Sequence, residues 1–265
     1  MMRTGKVLAL LVVLLFAATP AMAGGFRLPE AGAKAMGMGF AFTAQANDPS
    51  AIYFNPAGIL QLEGTNVMAG VTYIKNNGGT FTGTTPITAA SGPGSQSETQ
   101  KDLDFFVPNA FVTIKKSPDF AYGVGIFSPF GLGQEYENKN TSIFRNQITK
   151  IDLLTLVVNP TVAYRVNEFL SVGAGIDFMY GKAELAKTPV SSLIGDNTAV
   201  PPTNNLYNLD LEGDGTAWGY NFGVLLTPSK NVQIGFSYRS PFRLKIKDGD
   251  VDLSNISTAG RAALS

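Results

Sequence analysis

Apolar and polar residues alternate in seven short segments between Val67 and Lys247. The period is two, and an α-helix has no single face that could bury such a pattern. The clearest segment sets Val232, Ile234, Phe236 and Tyr238 against Gln233, Gly235, Ser237 and Arg239. The pattern predicts strands over residues 65–74, 107–115, 120–128, 154–165, 170–186, 217–227 and 232–247. The even-numbered face is the apolar one almost throughout. In the fifth strand Leu170, Val172, Ala174, Ile176, Phe178 and Tyr180 oppose Ser171, Gly173, Gly175, Asp177 and Gly181. Two such faces require two environments: a second sheet and water in a soluble sandwich, or lipid and a lumen in a barrel.

The connections decide between them. Tight turns at Lys116-Ser117-Pro118-Asp119, Val166-Asn167-Glu168 and Pro228-Ser229-Lys230-Asn231 alternate with long polar connections over about residues 75–105, 129–152 and 187–216. Outer membrane barrels show this asymmetry, with short periplasmic turns and long extracellular loops. Tyr180, Trp218 and Tyr220 stand where an aromatic girdle belongs, and Lys182 lies above it. The fold expected is therefore all-β, a transmembrane antiparallel β-barrel. An exported soluble β-sandwich for binding or adhesion is the alternative.

Residues ahead of the first strand supply an address. Arg3 and Lys6 precede an almost purely apolar run from Val7 to Ala18, then Pro20 and the small-residue site Ala21-Met22-Ala23. These are the three parts of a secretory signal peptide, residues 1–23, with cleavage expected after Ala23. The apolar run is shorter than the ~20 residues of a spanning helix. Residues 24–63 form a separate, turn-rich segment with one short helix expected near residues 31–38. The wall occupies residues 64–265.

Composition narrows the function. With 20 basic and 20 acidic residues, the chain carries no net charge that would attract nucleic acid. It has no cysteine for disulfides or thiolate chemistry and no histidine for general-base or metal duty, and its carboxylates are scattered. Neither an enzyme nor a cofactor or metal site is expected. Inward positions are small, apart from Asp177 and Arg239. A general diffusion porin, which needs a charged open lumen, is a further alternative.

Several short motifs carry a resemblance. They are Gly24-Gly25-Phe26, Ala46-Asn47-Asp48 followed by Asn55-Pro56-Ala57, Phe130-Gly131-Leu132-Gly133-Gln134-Glu135-Tyr136, and Tyr238-Arg239-Ser240. Across almost all of the mature chain the sequence resembles the outer membrane long-chain fatty acid transporter (FadL) family, which includes channels for aromatic and other hydrocarbons. The resemblance implies a fourteen-stranded barrel plugged by its N-terminal segment, the hatch. It implies passive inward movement of a hydrophobic ligand by capture among extracellular loops, transfer to an apolar pocket, and sideways exit at a kink in the third strand. On this resemblance Phe26 closes the pocket and Asn55, Pro56 and Ala57 are the hatch motif facing the wall opening. Pro129 and Gly131 fall at the kink. Phe127, Phe130, Leu132, Ile143 and Phe144 are candidate ligand contacts, and Lys187 matches a basic position that meets a ligand carboxylate.

The expected partners are a fatty acid or aromatic hydrocarbon, outer membrane lipid and lipopolysaccharide, with a monomeric full-length protein. Seven strands are half of the family's number, and an open sheet edge is not tolerated in lipid. The sequence therefore reads as the N-terminal part of a longer protein. If the wall is a barrel, the full-length protein extracted from outer membrane in detergent should migrate faster on a gel before heating than after. Identical migration would favour the sandwich.

Overall fold

A computed structural model describes residues 26–83, 96–137, 139–190 and 204–265, with backbone only for Gln96, Leu132, Lys247 and Asp248. The expected signal peptide and its cleavage site lie outside the described residues. The architecture is a curled antiparallel sheet, half of a barrel, with the N-terminal segment against one face.

The wall strands are β1 (Thr65–Asn76), β4 (Leu103–Ser117), β5 (Phe120–Phe127), β7 (Lys150–Asn167), β8 (Leu170–Lys187), β9 (Asn208–Ser229) and β10 (Val232–Arg239), paired in that order. They match the seven strands predicted from alternation, and several run longer at the ends away from the tight turns. Two short strands fill the first long connection, β2 (Thr80–Gly83) with β3 (Gln96–Thr99). Two others extend interrupted wall strands. β6 (Gly131–Glu135) pairs β7 above β5, and β11 (Lys245–Ser254) pairs β9 above β10. The second long connection is thus partly wall, and the seventh strand is not continuous to Lys247 as predicted.

Alternation assigns the two faces. Val157, Asn159, Thr161, Gly175, Asp177 and Asn221 are buried on the inner face. Ile176 is 57% exposed and Trp218 67%, and Phe222, Phe236 and Val162 are also exposed, all on the outer face. This belt of large apolar side chains continues across adjacent strands, more than a water-facing surface carries, and lipid is the solvent that suits it. No helix among the described residues is long and apolar enough to cross a membrane.

The N-terminal segment supplies half of the core. Helices α1 (Ala33–Gly37) and α2 (Ala51–Phe54) and a 3-10 helix (Pro56–Gln61) bring Phe42, Ile52, Tyr53, Ile59 and Leu60 against Phe111, Phe127, Val157 and Met179 of the wall. The inner-face glycines make the close approach feasible. A Cβ on Gly173 would stand 2.5 Å from the Ala57 nitrogen, and one on Gly235 2.6 Å from the Ala44 Cα. Any side chain at these positions would lift the segment off the wall.

Candidate functional site

Asn55-Pro56-Ala57 begins the 3-10 helix, and its geometry serves two purposes. The Asn55 backbone is extended (φ −159°, ψ 100°), its Oδ1 accepts from the Ala57 N–H at 3.2 Å, and Pro56 occupies the first helical position, where a missing N–H costs nothing. That is an ordinary cap. The Asn55 Nδ2, however, donates to the Thr43 carbonyl at 2.8 Å and to the Val224 carbonyl of β9 at 3.0 Å. One buried amide therefore caps the helix, folds the segment on itself and fastens it to the wall.

A second fastening lies beside it. Asp177, fully buried on β8, pairs with Arg239 of β10 and accepts from the Asn159 amide at 2.7 Å. Arg239 also donates to the Tyr53 carbonyl at 3.3 Å and lies over the Tyr53 and Phe127 rings at 5.3 and 5.1 Å. Asn221 donates to the Ile52 carbonyl at 3.0 Å. The two charged inward residues that stood out in the sequence thus form one pair, and it holds α2.

The third wall strand breaks between β5 and β6. Pro129 has no N–H for the ladder, and three residues, 128–130, stand opposite two, 155 and 156, on β7. The freed groups find other partners. The Thr155 hydroxyl accepts from the Phe130 N–H at 3.1 Å and donates to its carbonyl at 2.5 Å. From the N-terminal segment, the Leu28 N–H donates to the Pro129 carbonyl at 2.8 Å, and the Phe26 carbonyl accepts from the Gly131 N–H at 3.0 Å.

Above the break the described ladders leave residues 103–108 of β4 paired only with β1. Pairing resumes higher up, where the Lys101 N–H donates to the Glu135 carbonyl at 2.8 Å and the two side chains form an ion pair at 2.7 Å. The resulting window in the wall holds a cavity of about 560 Å³. Leu28, Phe105, Val107, Phe130 and Leu153 line it, together with the exposed outer-face residues Phe106 and Leu154. It therefore reaches both faces of the wall. Asp104, Asp152, Lys182 and Glu184 also border it.

The sequence-derived candidates divide accordingly. Phe130 and Gly131 line the cavity, with Pro129 at the break, and half-exposed Phe26 is joined to the break through its carbonyl. Asn55 and Pro56 do not face this window. They lie against Gly223 of β9, and Pro56 and Ala57 against Gly173 of β8, while Phe26–Leu28 occupy the position beside the break. The side chain of Leu132 lies outside the described residues.

Phe127 belongs to the core, stacked on Phe111 at 6.0 Å. Ile143 is buried and Phe144 sits between Phe81 and Tyr136, at 5.3 Å from each, so both residues pack a small loop core under β2 and β3. In the same loop Arg145 is held by Asn204, Asn205 and the Ser142 carbonyl, and burial pulls its guanidinium below the usual value while leaving it charged.

Lys187 ends β8 without lining the cavity. Lys182, engaged with Glu212 at 2.5 Å and Glu184 at 3.2 Å, is the basic residue that does. Leu28, Phe105 and Thr155 were not singled out by the sequence, because nothing in their local pattern distinguishes them from wall or linker residues.

A lipid-facing belt, a curled antiparallel wall and a segment packed inside it define a β-barrel protein of the outer membrane class. The chain belongs to the outer membrane protein transport protein family (OMPP1/FadL/TodX), whose model matches residues 14–263. It is 30% identical over 258 residues to the long-chain fatty acid transport protein of Escherichia coli O6:H1, covering 91% of this chain and 55% of that one. It is 29% identical over 270 residues to outer membrane protein P1 of Haemophilus influenzae, covering 90% and 58%.

Among solved structures, a Pseudomonas aeruginosa FadL homologue superposes with a TM-score of 0.68 at 20% identity over 91% of this chain and 57% of that one. The Ralstonia pickettii toluene transporter TbuX gives 0.53 at 21% identity over 74% and 53%. These structures support the fold. The chain spans little more than half the length of these relatives, two of which are named as transporters, of long-chain fatty acid and of toluene.

The double duty of Asn55 is open to test. Asn55→Asp keeps the cap acceptor but loses the amide donor to the Thr43 and Val224 carbonyls, at a cost of about 1–3 kcal/mol. Limited proteolysis of the folded full-length protein should cut residues 26–63 faster in this variant. Unchanged cutting would reduce Asn55 to a cap.

Proposed function

We propose that the whole protein is an outer membrane channel for passive uptake of long-chain fatty acids or other hydrophobic compounds, with residues 24–63 acting as its hatch. A ligand collects among the extracellular loops, enters an internal apolar pocket and leaves sideways through the third-strand window. The observation that carries this reading is the cavity at the break, which has apolar lining from both faces of the wall. An apolar molecule in such a cavity lies against Leu28, Phe105, Phe130 and Leu153, with the charged residues at its border, and lateral release delivers it to the bilayer, where its transfer free energy is favourable.

The packed N-terminal segment argues against a general diffusion porin. A water path needs an open polar lumen, whereas here Phe42, Ile52 and Leu60 are packed without exposure against the inner face. The names of the relatives support a hydrophobic cargo, fatty acid in one and toluene in another. The hatch must yield for ligand to pass, and its fastenings at Asn55 and Arg239 are where it would be loosened or held.

Uptake of radiolabelled oleate by cells carrying the full-length protein tests this. Asn55→Ala and Pro56→Ala should each lower uptake several-fold while oleate binding at the cell surface changes little. Normal uptake in both variants would remove the hatch assignment.

A further inference from the structure

The seventh wall strand carries the same defect as the third. Arg239 pairs with Asn221 and Lys245 with Thr216, so five residues, 240–244, stand opposite four, 217–220. The extra residue is fixed in place. The Ser240 N–H donates to the Tyr220 carbonyl and its Oγ accepts from the Tyr220 N–H, both at 2.9 Å. The displaced side chains turn onto the inner face, where small residues receive them. A Cβ on Gly219 would stand 2.8 Å from the Phe242 ring, and one on Gly181 2.8 Å from a Leu244 methyl.

The two defects lie almost level. Residues 155 and 156 of β7 register through Gly181 and Tyr180 of β8 to Gly215 and Thr216 of β9, immediately above the unpaired stretch 217–219. Across the inner face of these strands the aromatic from each break meets the other, Phe130 edge-to-face on Phe242 with ring centroids 5.9 Å apart. Phe130 also lines the window cavity. A bulge re-aims side chains, and here two bulges aim two rings at one point.

We propose that Phe242 is a specificity-determining residue of the channel: with Phe130 it forms an aromatic constriction on the lumenal side of the third-strand window and limits the cross-section of the hydrophobic ligand that reaches it. This rests on the reading that ligand leaves by that window. An edge-to-face pair of phenyl rings in contact closes the space between them, so ligand passes only as the rings part, and how far they part limits its width. Each ring is anchored through its own strand break, so the closure is set by wall geometry and not by the hatch alone.

The test compares two probes, oleate and a dodecanoate carrying a terminal pyrene, taken up by cells bearing the full-length protein. Folding of each variant is checked by heat-modifiable migration. Phe242→Ala should raise the ratio of pyrene probe to oleate uptake roughly tenfold, the scale of discrimination that small changes in pocket size produce. Phe242→Leu should give an intermediate ratio, and Phe242→Trp should depress uptake of the pyrene probe further.

Because the rings touch, Phe130→Ala combined with Phe242→Ala should add little to either change alone, whereas independent sites would multiply. An unchanged ratio across the Phe242 series, with oleate uptake intact, overturns the constriction and leaves the transport reading standing. Absence of oleate uptake in the unaltered protein removes both.

Discussion

A strand in lipid has no water to satisfy its backbone, so every group that leaves the ladder must find a partner inside the protein. This constraint governs how the wall can be opened. The bulges of the third and seventh strands each come with a replacement donor or acceptor. Thr155 serves both backbone groups of Phe130, Ser240 serves Tyr220, and the strand-like residues Phe26–Leu28 bind the edges at Pro129 and Gly131. Pro160 lacks the N–H of a mid-strand residue, and the Asn159 amide next to it donates to the Ile176 carbonyl at 3.1 Å. The wall is broken where side chains can mend it.

The packing of the N-terminal segment follows from the same constraint. Once residues 26–63 lie inside the curl of the sheet, their own polar groups are also removed from water. They are satisfied by inward side chains of the wall, Asn221 on Ile52 and Arg239 on Tyr53, and by Asn55 reaching out to Val224. The Asp177–Arg239 pair sits among buried amides, with Asn159 donating to Asp177 and to Asn221. A buried pair of this kind adds little net stability but makes loss of either partner costly, which favours one docked arrangement of α2 over its neighbours. The glycines at 173 and 235 then let backbone rest on backbone.

Much of the fold could be read from alternation because lipid enforces it: one face must be apolar along the whole span, so seven wall strands and their tight turns stood out. Alternation says less where a strand is bulged. One extra residue at 128–130 and another at 240–244 reverse which parity faces inward, so that Lys245 registers with the outer-face Thr216 although Arg239, also odd, points in. A pattern scan merges or ends a strand at such a shift.

The site was legible only in part for a related reason. Pro129 and Gly131 were visible as ladder breakers and Asn55-Pro56 as a turn, but what each touches depends on register between distant strands. The family resemblance sets the Asn55 motif at the wall opening, whereas it fastens β8 and β9, and nothing in its local sequence distinguishes Phe242 from an ordinary strand residue. Ile143 and Phe144, apolar in a polar loop, marked a small core of that loop.

Release of ligand through the window between β4 and β6, as proposed, can be tested directly. The chain contains no cysteine, so a pair introduced at Leu103 and Gly133, whose side-chain positions adjoin across the gap, can be joined by a short reducible cross-linker without interference. Oleate uptake by the full-length protein should fall to background when the pair is linked and return on reduction. Uptake that continues at the normal rate with the window stapled would contradict the account.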